Sequence, residues 1–402
     1  MGQLKNFLME KEGRGYSEPP CKIVCFHHFD DNHIKQFIKR NASKGECEYC
    51  GRKGNVIELS TLVEFLFEKI FTYYGDIHEQ VLPSFNSWFE SEDEDDLTCP
   101  WYECYGYAMP RNREPYDRDE LFVEVGLNID NDVLYNDIKN CLDATEVYCL
   151  KNALYDTKEE ELSYKWKQFC KIVTCERRYT FFEMFKSEEE QYSTNGLGDI
   201  LSELWDAVIH VDLIQTLAPN ESLYRCRPHE KDEVVDTLET LASPPSDKAC
   251  RNRMSPTGIS MFYGAFDSVT AFEEIKDKAM ECVTTGVFKI IKPIKVANLR
   301  NLPSHFSIFG NHDYYVMKFL ESFVKEISKQ ISDKDKDIDY VPTQILTEYF
   351  RHIFKTKDGE NIYGLMYQSA VIRGGTCCVL FFDNETCAEY LTLQRFTLQS
   401  FT

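Results

Sequence analysis

Cys25-x-x-His28 and Cys47-x-x-Cys50, with Gly51 directly after the second pair, have residue types and spacing that could hold a metal ion. Two intervening residues let both members of a pair reach one ion from a tight turn, and four N/S ligands in two such pairs suit tetrahedral zinc. Residues 29–44 between the pairs leave room for a turn and a short helix. Cys21 and His27 lie nearby, and His27 could take the place of His28. The alternative is ordinary free thiols beside a surface histidine. Four protein ligands leave no open position for water, so a zinc held here would be structural. Cys99 and Cys104 are spaced wrongly for a second knuckle and read as core thiols.

A second group of polar residues lies in the later half. Residues 223–227 (LYRCR) read as a strand, and a period of two puts Leu223, Arg225 and Arg227 on one face. Residues 259–266 (ISMFYGAF) resemble a strand with Tyr263 near its end. Asp267 or Ser268 then caps a helix, which places Glu274 in its second turn. Residues 364–369 (GLMYQS) read as a strand carrying Ser369. Singly, each has an ordinary reading: Arg225 as a solvated strand residue, Tyr263 as core, Ser369 as a satisfied hydroxyl, and Glu274 with Lys278 as a helix-surface pair. Composition and periodicity alone stop at a mixed α/β domain.

The elements that must position these residues follow from the rest of the chain. Its 402 residues suit two or three domains. A 43% hydrophobic and 14% aromatic content is enough to build a core and excludes a wholly disordered chain. A net charge of −22 argues against gripping nucleic acid over a broad surface, while leaving room for a small basic cleft that takes a phosphorylated metabolite. Residues 1–16 have no apolar core long enough for a signal peptide, and the Met-Gly start lacks the Ser or Thr of a myristoylation motif because Asn6 stands there. No window approaches the roughly 18 consecutive apolar residues of a membrane span. Sixteen cysteines in such a chain predict reduced thiols, so a soluble cytoplasmic protein with no membrane partner is expected.

Residues 17–55 form a compact Cys/His/Gly-rich module. Leu59, Leu62, Phe65, Leu66, Ile70 and Phe71 predict a helix over 56–75 that stops at Gly75. An acidic loop at 90–96 and further helices at 130–144, 157–175 and 196–217 follow. Pro219 and Asn220 mark the change of texture. Beyond them, strands at 223–227, 259–266, 286–296 and 377–382 alternate with helices at 269–281, 312–331 and 342–355, and 332–339 is a charged loop. The expected fold is α+β: a zinc-binding module over 1–55, a helical domain over 56–216 and a mixed α/β domain over 217–402.

YRCR, RMSPTGISMFYGA, TAFEE, YVPTQILTEYFR and GLMYQSA occur in that order, and together they resemble the RES domain family over residues 217–402. The earlier half, with its Cys pairs and helices, looks like the HEPN/RES N-terminal domain fused ahead of some RES domains, although its first pair is Cys-x-x-His where Cys-x-x-Cys is expected. The resemblance implies an ADP-ribosyltransferase-like fold with NAD⁺ as a consumed substrate. It implies cleavage of the nicotinamide–ribose bond, with water or inorganic phosphate as acceptor. Arg225, Tyr263, Glu274 and Ser369 match the family's Arg, Tyr, Glu and Ser, and Arg253 is a further phosphate contact. These types suit the chemistry. A carboxylate stabilises an oxocarbenium-like ribose, an Arg fork matches phosphate oxygens, and a Tyr ring can stack on nicotinamide. No Gly-x-Gly-x-x-Gly follows a strand, which also argues against a recycled Rossmann cofactor.

The family setting implies a toxin or antiphage-defence effector. Such an enzyme would be restrained by an antitoxin or by residues 1–216, through oligomerisation or a phage-derived trigger. The helix over 196–217 would then lead directly into the Arg225 strand. Alternative functions are a protein ADP-ribosyltransferase, a HEPN-type ribonuclease using Arg300 and His305, or a zinc-bearing interaction protein with an inactive RES-like half. Pro303 inside the Arg300–His305 motif disfavours the helix a HEPN nuclease needs.

Overall fold

The computed structural model describes residues 14–77, 115–151, 156–181, 200–276, 281–300, 302–303, 306–329 and 336–400. The acidic run at 90–96, Cys99, Cys104, Lys278, His305 and residues 332–335 lie outside the described residues. The chain divides into two compact units: Met1–Thr157 with His305–Tyr314, and Lys158–Ser304 with Tyr315–Thr402.

In the first unit, β1 (Ile23–Cys25), β2 (Ser43–Glu46) and β3 (Lys53–Glu58) form an antiparallel sheet in the order β1-β3-β2. The helix Asn32–Arg40 starts at Asp31, whose carboxylate accepts the N–H groups of His33 and Ile34. The helix expected over 56–75 begins only at Leu59, because Val56 and Ile57 are held in β3 opposite Cys25 and Val24. Their β-branched side chains suit a pleated strand better than a helix. Helix Leu59–Tyr73 buries Leu59, Leu62, Val63, Leu66, Phe67 and Ile70, each worth roughly 1.5–3 kcal/mol of transfer free energy. Gly75, expected as a stop, lies within β4 (Tyr74–Asp76), which pairs with β5 (Tyr148–Leu150). Helices Arg118–Glu124 and Asp132–Lys139 add Leu121, Phe122, Leu134 and Ile138 to the same core. Ile308 and Phe309 also insert there, which is why His305–Tyr314 groups with this unit.

The second unit is built on an eight-stranded sheet of order β13-β9-β7-β8-β12-β11-β10-β6. Its strands are β6 (Ile214–Leu217), β7 (Ser222–His229), β8 (Phe262–Ala265), β9 (Cys282–Ile290), β10 (Ile294–Asn298), β11 (Gly364–Gln368), β12 (Thr376–Leu380) and β13 (Leu391–Ser400). Every neighbouring pair is antiparallel except β10 and β11. The run at 286–296, read as one strand, is split into β9 and β10 at Pro293, which has no N–H to give a ladder. Helices Tyr314–Ile327 and Val341–His352 match their predicted places, the second with Pro342 in its first turn. Lys336–Asp339, expected in a charged loop, forms a short helix.

Two differences bear on the site. The helix expected over 196–217 is described from Ile200 to His210; Asp212 at φ +57° turns the chain, and β6 follows. β6 lies at one edge of the sheet and β7 in its interior, so the helix does not run into the strand that carries Arg225. Helices Lys158–Lys171 and Ile200–His210 also group with the second unit, whereas the sequence reading placed them in the helical domain over 56–216. Rings far apart in sequence decide this: Trp166 meets Phe323 at 5.0 Å, and Trp205 stacks on Phe354 at 5.3 Å and 4°. Lys165 is buried between Glu161 (2.5 Å) and Glu203 (2.6 Å), tying the two helices together.

Candidate functional site

A cleft of about 280 Å³ in the second unit is lined by Arg225, Tyr263 and Glu274, with Lys248, Tyr367 and Cys377 among its other walls. A larger hollow of about 400 Å³, lined by Arg178, Arg251 and Tyr349 among others, contains none of the expected site residues. The smaller cleft is the one that gathers chemistry. Arg225 projects from β7, its carbon framework beside Phe262 with the guanidinium carbon 5.5 Å from the ring centroid. Its Nη1 donates to the carbonyl of Tyr263 at 2.7 Å, while its Nε is sealed from solvent without a partner. Burial lowers the Arg225 guanidinium to about 10, still charged at neutral pH. Among the described residues no carboxylate pairs with it. A desolvated cation without a counter-ion is costly unless an anion completes the site.

Glu274 follows helix Ser268–Glu273, which Asp267 caps by accepting the Thr270 N–H. Its Oε1 accepts the Ser369 hydroxyl at 2.5 Å. Ser369 stands one residue past β11 and is 6% exposed. Its Oγ also accepts the N–H groups of Val371 (3.1 Å) and Ile372 (3.0 Å). A hydroxyl has one proton and two lone pairs, so Ser369 is saturated. Its proton is committed to Glu274. The turn after Ser369 packs tightly on the Glu274 helix: a Cβ on Gly375 would meet Thr270 Oγ1 at 2.7 Å, so only glycine fits. Tyr263 lies on β8 with its hydroxyl 2.8 Å from Ser255 Oγ, and burial pushes its phenol up.

Arg253 is not brought to this cleft. Its guanidinium donates to the carbonyls of Ile327 and Lys329, both at 2.6 Å, at the end of helix Tyr314–Ile327, and it sits over the Tyr340 ring. Arg253 therefore ties down a helix C-terminus, a role open to any Arg near unsatisfied carbonyls. Arg300 of the Arg-x4–6-His motif donates to the Gly374 carbonyl at 3.1 Å, and its neighbours Leu302 and Pro303 lie outside any helix. The sequence reading missed Lys248, Tyr367 and Cys377 as walls of the cleft. Tyr367 falls inside the GLMYQSA run and could have been found there; Cys377 carried no signal beyond its place in a strand.

The first unit holds the second cluster. One ligand atom each from Cys25, His28, Cys47 and Cys50 lie within 4.8 Å of one another. Cys25 ends β1, His28 closes a 3₁₀ turn, and the cysteine pair occupies the turn between β2 and β3. Gly51 at φ +68° lets that turn close, its N–H reaching the Cys47 carbonyl at 2.7 Å. His28 Nδ1 donates to Asp130 Oδ1 at 2.6 Å, which turns Nε2 toward the sulfurs, 3.5 Å from Cys47 Sγ. A carboxylate behind a ligating histidine is a common arrangement at metal centres. His27 is exposed and stacked on Phe26, so His28 is the histidine of the cluster. Burial pushes the Cys25 thiol up to about 12. Burial also opposes a Cys47 thiolate, but the N–H groups of Tyr49, Cys25 and Cys50 and the His28 side chain bring it down to about 7. None of these cysteines is in a disulfide. Three soft sulfurs and an imidazole suit a metal such as zinc.

The second unit is thus an α/β domain whose cleft holds an arginine that no described carboxylate pairs, together with a carboxylate bonded by a buried hydroxyl. The family models for the RES domain and for HEPN/RES N-terminal domain 1 match residues 222–399 and 40–187, so this is a RES-domain protein with a HEPN/RES N-terminal domain. Cys47 and Cys50 fall inside the N-terminal match, while Cys25 and His28 precede it. No curated protein and no solved structure matches the chain. Among the described residues, no helix is long and apolar enough to cross a membrane.

Proposed function

We propose that the cleft consumes NAD⁺ by breaking the nicotinamide–ribose bond. The observation that carries this is the presence in one cleft of Arg225, which no carboxylate among the described residues pairs, and of Glu274, whose Oε1 is held by Ser369, in a domain of the RES family. Arg225 takes a phosphate oxygen of the dinucleotide or of an incoming phosphate, and Lys248 at the rim adds a second positive charge. Tyr263 offers its ring to the nicotinamide, and Glu274 stabilises the positive charge that develops on the ribose as neutral nicotinamide leaves. Ser369 acts through Glu274. The acceptor is water or inorganic phosphate, which a protein acceptor would replace in an ADP-ribosyltransferase. In the cell this is a toxin or defence effector, controlled by a partner or by residues 1–216. The test is purified full chain with NAD⁺, with and without phosphate, read by mass spectrometry. Nicotinamide should appear with ADP-ribose, or with ADP-ribose-1″-phosphate when phosphate is supplied. Intact NAD⁺ in every arm rejects the reading.

The cysteine–histidine cluster is proposed to hold one structural zinc through Cys25, His28, Cys47 and Cys50. Asp130 supports it from behind His28 with a side chain that is itself 66% exposed. Asp130→Ala should therefore fold, yet bind zinc roughly 10–100-fold more weakly. Competition with a chelating dye measures this, and an unchanged affinity would remove Asp130 from the site.

A further inference from the structure

Glu274 Oε1 has a second donor besides Ser369. The thiol of Cys377 donates to the same oxygen at 3.5 Å. The two donors come from different supports: Ser369 from the turn after β11, and Cys377 from β12. β12 is paired on both sides, Cys377 standing opposite Tyr367 on β11 and Ala265 on β8. Glu274 itself is the residue that ends a helix of only six residues. With both donors on Oε1, Oε2 has no partner among the described residues.

We propose that Cys377 is a positioning residue for Glu274, its buried S–H acting with Ser369 to set the carboxylate so that Oε2 remains open to the substrate. This rests on the NAD⁺ reading above. Burial and the adjacent Glu274 charge both push the Cys377 thiol up, so it stays a neutral donor and does not compete as a thiolate nucleophile. Because a thiol is a weak donor, the share of Cys377 should be smaller than that of Ser369.

The test uses the full chain carrying Cys377→Ala and Cys377→Ser. Alanine removes the donor and should lower kcat roughly three- to tenfold with KM for NAD⁺ little changed. Serine keeps a donor and should restore kcat. In a Glu274→Gln background, Cys377→Ala should cause no further fall. A second readout needs no substrate. The infrared S–H stretch of Cys377, isolated by subtracting the Cys377→Ser spectrum, should lie at the low frequency of a bonded thiol and rise in Glu274→Ala, which removes the acceptor. A wild-type kcat in Cys377→Ala, or an S–H band indifferent to Glu274→Ala, overturns the proposal. A band that responds in a chain that leaves NAD⁺ intact shows that the NAD⁺ reading has failed, and the catalytic sense of the contact fails with it.

Discussion

Glu274→Gln should leave the protein folded and reduce NAD⁺ consumption by about 10²–10³-fold, the usual effect of removing one preorganised charge-stabilising group. The fold should survive because Glu274 is exposed at the end of its helix and glutamine keeps its length. Glutamine also offers a carbonyl oxygen to the Ser369 hydroxyl, so that bond need not be lost. In the proposed reaction, what disappears is the negative charge opposite the forming oxocarbenium, and with it an interaction stronger in the transition state than in the ground state. The loss should fall on kcat, with KM little changed. Arg225→Ala should behave differently, raising KM and lowering kcat together, because in the proposed reaction its guanidinium meets the phosphate portion in both states. Initial rates of NAD⁺ loss at several concentrations separate the two patterns. A Glu274→Gln protein that turns over NAD⁺ at the wild-type rate would remove Glu274 from the mechanism.

Removing the metal should have the largest effect on stability. Elemental analysis is expected to find one zinc per chain. Chelation, or Cys47→Ser together with Cys50→Ser, should lower the melting temperature of the first unit or abolish its transition. The ligands sit on short pieces, a three-residue strand, one 3₁₀ turn and a tight hairpin turn, which have little cohesion of their own. The ladder of β1, β3 and β2 links the strand to the hairpin turn, and the ion would tie the 3₁₀ turn to both. In isolated zinc-finger peptides, binding supplies roughly 10–16 kcal/mol, all of which appears as folding free energy. The first unit also has an apolar core around helix Leu59–Tyr73, so part of it should outlast the metal. A metal-free chain with an unchanged calorimetric profile would show that the cluster is not a structural site.

Much of this was legible in the sequence because its signals are local. Two residues between paired ligands are a property of one turn, and Cys25, His28, Cys47 and Cys50 converge as that spacing implies. The order of YRCR, TAFEE and GLMYQSA carried the family, and Arg225, Tyr263 and Glu274 line one cleft as expected. Periodicity also located most strands and helices, since a period reports which face of an element is apolar. It does not report what that face meets. Arg225 and Arg253 look alike in sequence, but only packing puts one beside the cleft and the other at the end of helix Tyr314–Ile327. Ser369 reads in sequence as a hydroxyl with capacity to spare, but its oxygen accepts two N–H groups from the turn that follows it and its proton goes to Glu274. Helices Lys158–Lys171 and Ile200–His210 read as part of the earlier half, yet rings more than a hundred residues away draw them into the second unit. Asp130 and Cys377 gave no sign at all, because each is defined by a partner about a hundred residues distant, His28 and Glu274 respectively. Local spacing determines which chemistry a segment can offer; long-range packing decides which groups face one another and which are already satisfied.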